Sequence, residues 1–207
     1  MANFLVNTAL NGMLDDLRAR LDQASLHTAY SAAGANEVTG GSYARQSITW
    51  GAAASAAIDS SNAPAFSVPA SNTIRFIGFW STAESPDAFM GMLPNQQSGD
   101  LAPRRFIVDE SNNEIEMPSH GLSADDGVVF IGGTPPTGLA EGTIYYVGGT
   151  GGTDAFQVQT TKSASPFSAV GLSSQGDEDV RIWQVREETF ASDGTFNLDD
   201  ADFDFLT

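Results

Sequence analysis

Residues 73–80, TIRFIGFW, decide how this chain is read. Successive side chains of a β-strand face opposite sides, and here both sets are apolar, with Ile74, Phe76 and Trp80 on one side and Ile77 and Phe79 on the other. Such a strand has to be covered on both faces, so it is expected at the centre of a sheet or at an interface between subunits. The same period of two recurs in LHTAY (26–30), YARQSITW (43–50) and PAFSVP (64–69), each bounded by Gly, Asn, Ser or Pro. These are read as further strands.

Upstream the period changes. Leu10, Leu14, Leu17 and Leu21 share one stripe of a helix, while Asp15, Asp16, Arg18 and Arg20 face elsewhere. The spacing predicts an amphipathic helix over 8–24, capped by Asn7 or Thr8, with the acids placed before the arginines at favourable spacings. Its leucines must bury against the chain's own sheet or against a partner. The second is our expectation: residues 1–25 serve docking or assembly through that stripe.

Downstream, IVDESNNEIEM, GVVFIG, TIYYVGG, AFQVQTT and VRIWQV are short strands separated by turn sequences such as SNN, GGTPPTG and GGTGGTD. They predict a small β-barrel-like module over 106–183. The final stretch, ETFASDGTFNLDDADFDFL, then offers Phe196, Leu198, Phe203 and Phe205 to a core. The fold expected is therefore mainly β: an N-terminal amphipathic helix, then an antiparallel, jelly-roll-like β-sandwich body built from 26–105 with 184–207, into which the module is inserted.

Composition narrows the function. Among 207 residues, 26 acids stand against nine bases, a formal charge of −17, and Lys162 is the lone lysine. A nucleic-acid backbone needs a basic surface, so it is not an expected partner. Acids crowd 177–207, which reads as a solvated acidic face. No apolar run approaches the ~18 residues of a membrane span, and MANFLVNTAL lacks the basic and apolar regions of a signal peptide. Synthesis in the cytosol without membrane insertion is expected. With no cysteine there is no disulfide or thiolate metal site.

Catalytic patterns are also missing from the sequence. His27 and His120 lack a Glu-x-x-His or His-x-His neighbour, the serines lack a G-x-S-x-G elbow, and the glycine doublets lack the Lys-Ser/Thr of a phosphate loop. Residues 199–204, DDADFD, alternate Asp with apolar residues as a solvent-facing strand does, without the Gly and terminal Glu of an EF-hand loop. We expect no catalytic, cofactor-binding or metal residue, and no cofactor. A carboxylate pair for glycoside cleavage stays open, because separation in space is not legible in sequence.

One stretch is specific. Leu26, His27, Thr28 and Ala29 are followed by Gly34, Asn36, Glu37 and Val38, then by Gly40, Gly41, Tyr43 and Arg45, then by Trp50, Gly51 and an alanine-rich run, before FIGFW. This pattern resembles bacteriophage virion proteins of the tail fibre or minor tail type. A second pattern resembles a small β-module that recurs inside phage tail and fibre proteins: His120-Gly121-Leu122, Pro136-x-Gly138-Leu139, Tyr145-Tyr146-Val147 and Asp154-x-Phe156-x-Val158. The resemblance implies a non-enzymatic structural protein of the virion, tail-associated, working in assembly and host attachment. Its partners would be itself, as a homotrimer, other virion proteins, and a host surface glycan or protein. Asn36, Glu37, Gly40, Gly41, Tyr43, Arg45 and Trp50 would then build scaffold. Two alternatives stay open. One is a capsid decoration, cement or head-spike protein. The other is a carbohydrate-binding or carbohydrate-degrading domain acting on the host envelope, with exposed Tyr145, Tyr146 and Trp183 stacking on sugars.

Overall fold

The computed structural model describes residues 5–83, 87–150 and 152–204. It divides into two compact units: Met1–Leu93 with Thr189–Thr207, and Pro94–Glu188 between them. In chain order the elements are α1 (Asn7–Arg18), β1 (Gln23–His27), β2 (Gln46–Ser47), β3 (Ala57–Asp59), β4 (Ala65–Val68), β5 (Asn72–Ile74), β6 (Phe76–Ser81) and β7 (Ala88–Pro94). The second unit holds β8 (Ile107–Asp109), β9 (Glu114–Glu116), β10 (Gly127–Ile131), β11 (Ile144–Thr150), β12 (Ala155–Gln159) and β13 (Arg181–Val185). Then come β14 (Glu188–Phe190), β15 (Gly194–Asn197) and β16 (Asp202–Asp204). The fold is mainly β, with one N-terminal helix and antiparallel sheets, as the sequence predicts.

The first unit is organised by β6. It lies inside the sheet β2-β1-β6-β7, antiparallel to β1 with Ser25 opposite Gly78 and His27 opposite Phe76, and every residue of it is buried. The expected single strand over 73–80 is broken at Arg75: β5 pairs with β14, and only β6 joins the central sheet. The break changes the parity, so Ile74 shares the face of Ile77 and Phe79 instead of that of Phe76 and Trp80. On that first face Ala24, Leu26, Ile77 and Phe79 pack against Phe66, Val68, Ile58, Phe196 and Leu198. The opposing layer of this sandwich is not one sheet but three two-stranded ribbons, β14-β5, β15-β4 and β16-β3. Each successive C-terminal strand pairs one step further back along the chain. Phe203 lies against Trp50 and Phe79, with ring centroids 5.4 and 5.3 Å away. Phe205, expected in the core, lies outside the described residues.

The helix is shorter than its leucine spacing suggests. It ends at Arg18, because the backbone N–H of Asp22 already donates to the Trp80 carbonyl and β1 begins at Gln23. Neither Asn7 nor Thr8 caps it; Val6 stands at the N-cap without a side-chain bond. Leu10, Leu14 and Leu21 are buried inside the chain, and Leu17 is half-buried against the same core. The expected assembly stripe is thus engaged with the protein's own body, so it is not free to bind a partner. Asp15 and Asn11 also accept from the backbone N–H groups of Ala53 (3.1 Å) and Ala56 (2.8 Å), clamping the helix to the alanine-rich run. That run is a tight hairpin: Ala54 and Ala57 exchange backbone bonds around Ser55 and Ala56, both at positive φ. Small side chains let this turn lie close under α1.

The second unit is a six-stranded antiparallel sheet, β13-β10-β11-β12-β9-β8. Val128, Phe130, Tyr145, Val147, Phe156, Val158 and Ile182 form its core. The expected barrel does not close: one isolated bridge, Arg104 to Ile182, brings the chain before β8 to β13. Residues 94–105, expected in the body, belong here because their polar groups bond to β13. Gln96 donates to the Gln184 carbonyl at 2.9 Å, and Gln184 Oε1 accepts from the N–H of Leu101 at 2.8 Å.

The chain enters and leaves this unit side by side, with the Arg186 N–H donating to the Asn95 carbonyl at 2.8 Å. A gap that short can be closed by a tight turn at small entropic cost. Replacing residues 95–187 by a short Asn-Gly hairpin should therefore leave a cooperatively folding body. Circular dichroism and a thermal melt check this; loss of the cooperative transition would mean that the body needs the inserted unit to fold.

Candidate functional site

The second face of β6 is covered by a loop, residues 28–45, which carries most of the motif residues. Hydrogen bonding begins at Trp80, whose indole N–H donates to Ser25 Oγ at 2.7 Å. Ser25 Oγ lies 2.7 Å from His27 Nε2, and His27 Nδ1 lies 2.8 Å from the Ala35 carbonyl. A carbonyl only accepts, so Nδ1 bears the proton and Nε2 accepts from the Ser25 hydroxyl. Every polar atom of this buried chain is then satisfied. The bonding fixes a neutral His27 tautomer.

Glu37 and Arg45 close the loop above it. Arg45 Nε and Nη2 reach the Glu37 carboxylate at 3.0 and 2.8 Å, a bidentate fork, while Nη1 lies 3.4 Å from Asp87. The Arg45 guanidinium carbon Cζ also lies over the Trp80 ring, 3.4 Å from its centroid. Tyr43 donates to Glu37 at 3.2 Å and accepts from the Leu26 N–H at 2.8 Å; burial pushes its phenol well above the ordinary range. Asn36 takes a positive φ of 64° and donates to the Tyr30 carbonyl, ordering the turn. Gly40 and Gly41 follow with φ of 92° and 56°, a left-handed pair that turns the chain toward Tyr43. The motif residues 36–45 therefore converge on one network. Trp50 stands apart, on the opposite face, donating to the Leu21 carbonyl at 2.6 Å and packing on Phe79.

Two residues essential to this arrangement carry no motif. Ser25 alternates with His27 on the side away from Leu26, so the pair was legible as a polar face of β1. Gly78 lies directly beneath the His27 ring and the Ser25 hydroxyl, where any β-carbon would collide with both. An isolated glycine inside an apolar strand is the sequence signal of such a close approach.

The remaining candidates are occupied within the fold. His120 is buried against Phe156, accepts from the Leu122 N–H at Nδ1 (3.0 Å), and faces the Gly152 carbonyl with Nε2. Tyr145 is a core residue whose hydroxyl accepts from the Ala140 N–H at 2.9 Å, so it is not the exposed sugar platform expected of it. Tyr146 and Trp183 are half-buried, and the Tyr146 hydroxyl donates to Glu187 at 3.1 Å. Asp199, Asp200 and Asp202 are exposed while Ala201 between them is buried, a solvent-facing alternation. Among the described residues no three His, Cys, Asp or Glu side chains cluster to hold a metal ion, and no helix is long and apolar enough to cross a membrane. The geometry suits holding a loop rigidly on a sheet.

Two measurements test this network. Gly78→Ala should destabilise the body by about 2–3 kcal/mol in chemical denaturation, since the methyl displaces the His27–Ser25 pair; an unchanged midpoint would remove the close packing from the account. The second test is pH. Burial holds His27 below its ordinary 6.5, with Arg45 acting in the same sense and the Ala35 bond and Glu37 opposing. The unfolded chain then binds a proton that the folded one refuses, so this contribution is complete above pH 6.5 and declines as pH falls toward the folded value. The melting temperature should drop from pH 7 to pH 5, and His27→Gln should flatten that slope.

Compared with known proteins, the chain matches no family model, no curated protein and no solved structure.

Proposed function

We propose that this chain is a non-enzymatic structural protein of a bacteriophage virion, associated with the tail and used in assembly and host attachment. The observation that carries the reading is the fate of residues 36–45. The stretch on which the resemblance to phage tail proteins rests places its charged and polar side chains on one another, with Glu37 only 18% and Arg45 only 25% exposed. An arginine held in a bidentate fork and stacked on an indole is a structural strut. It has little left for a substrate.

The second unit supports the same reading. Six residues of its own pattern, His120, Leu122, Tyr145, Val147, Phe156 and Val158, are buried, which suits a pattern that specifies a stable module. Asp154 joins them as a turn former, accepting from the Ser119 N–H at 2.9 Å. A rigid body carrying an inserted module fits a protein that packs into a particle and presents a surface. Its localisation would be the virion, with other copies and other virion proteins as partners.

The test is immunogold labelling of intact particles of the phage that encodes the sequence, using antibody raised against the purified chain. Label at the tail is the expected result. Label distributed over the shell would replace the tail assignment by capsid decoration. Particles that carry no label, and contain no such chain by mass spectrometry, would overturn the virion reading altogether.

A further inference from the structure

The loop over the second face of β6 contains a stretch built to part from the sheet by itself. Among the described residues, the apolar core of the body takes in Val38 but nothing from 28–37. Ala29, Ala32, Ala33, Ala35 and Asn36 are exposed. Several bonds close within the stretch: Ser31 Oγ accepts from the N–H groups of Ala33 (3.1 Å) and Ala35 (3.0 Å), and the Asn36 amide donates to the Tyr30 carbonyl at 3.2 Å. Residues 29–36 are therefore a self-contained flap. Its far end is anchored by Val38, whose N–H donates to the Leu26 carbonyl at 2.9 Å. Beneath it lie aromatic rings. Tyr30 meets Phe76 with centroids 5.9 Å apart, and Gly34 sits so close to Trp80 and Phe89 that a β-carbon there would collide with both.

The fastening of flap to sheet runs in one direction. The Trp80 N–H points to Ser25 Oγ, the Ser25 hydroxyl to His27 Nε2, and the His27 Nδ1–H to the Ala35 carbonyl, which leaves no place for a further proton. Protonation at Nε2 would make that nitrogen a donor. Ser25 Oγ would then face two N–H groups while its own hydrogen lost its acceptor, and both Ser25 and His27 are 0% exposed, out of reach of bulk water. The neighbouring charges do not relieve the conflict. Glu37 favours the imidazolium and Arg45 opposes it, but the Glu37 carboxylate is already held by Arg45 and Tyr43, and Asp87 lies beyond Arg45 at 3.4 Å. From β6 the ring meets Gly78, and from β7 the Phe89 ring at 6.3 Å, neither of which titrates.

We infer that residues 29–36 form an acid-released flap, which detaches from β6 when His27 takes up a second proton while the rest of the body stays folded. Opening hands the imidazolium to water and uncovers Phe76 and Trp80, 0% and 8% exposed in the closed form. The sign follows from linkage. Burial holds His27 below 6.5 under the closed flap, so the open form binds the proton more tightly and gains as pH falls through that value. Each further pH unit multiplies the open-to-closed ratio by up to ~10, until the closed form also binds the proton.

Two buried indoles supply the test. The Trp80 N–H lies under the flap, whereas the Trp50 N–H donates to the Leu21 carbonyl on the opposite face. Their hydrogen exchange is followed by NMR in the purified chain and corrected for the intrinsic rate. Trp80 should lose about 10- to 30-fold of its protection between pH 7.5 and pH 5, and at pH 5 should exchange at least ~10-fold faster than Trp50. Flap opening exposes little surface, so Trp80 exchange should be nearly flat in low urea, while Trp50 exchange should rise with urea as global unfolding does. His27→Gln should remove the pH dependence at Trp80. Equal rates for the two indoles with one urea dependence would overturn the proposal, because the body would then open only as a whole. So would Trp80 protection that is unchanged by pH in the wild type, or a pH dependence that His27→Gln retains.

Discussion

The structure of the body depends on one constraint: β6 is buried on both faces, so two different covers have to be supplied. One is apolar, made by Ile58, Phe66, Val68 and Phe196 and by Leu14 and Leu17 of α1. The other includes the indole N–H of Trp80, which cannot be buried without an acceptor. From that requirement follows the chain of bonds through Ser25 and His27 to the Ala35 carbonyl, and with it the path of the loop. Gly78 is the necessary counterpart, since the polar pair occupies the space where its side chain would be.

The two covers do different physical work. Apolar contacts are non-directional and would tolerate several arrangements of strands that bury the same area. Hydrogen bonds to Trp80 and Ala35 do not. If β1 slipped by one residue against β6, Ser25 and His27 would turn into the apolar core and Leu26 would face the polar loop. The buried polar chain therefore specifies register, while the aromatic core supplies most of the stabilisation. Arg45 belongs to the first function, because its fork to Glu37 and its stacking on Trp80 each demand one geometry.

Much of this is legible in the sequence. The alternation in 73–80 points to the central strand, the leucine spacing to the helix, and the apolar residues of the C-terminal stretch to its return to the body, expected over 184–207, of which 184–188 instead belong to the second unit. Boundaries were harder. Leu21 continues the helical spacing although the chain has already turned into the sheet, because Leu21 serves the same core from the turn. The break at Arg75 left no mark in the pattern, since apolar residues flank it on both sides. The network at 25–45 was half-visible: Asn36, Glu37, Gly40, Gly41, Tyr43 and Arg45 stood out together. Trp80, on which Arg45 lies, is separated from them by a long stretch of chain, and only the tertiary contact reveals it.

The order of strands has a consequence for the integrity of the chain. Because β14, β15 and β16 pair with β5, β4 and β3, the body is assembled from two pieces of polypeptide that are joined covalently only through the inserted unit. A cut in a loop of that unit, for instance in the turn between β8 and β9, would not release either piece. The fragments would be held by the ribbons and by Phe196, Leu198 and Phe203 in the shared core. The covalent connection is thus dispensable once folding is complete, and the body has the construction of a protein already divided into two complementary halves.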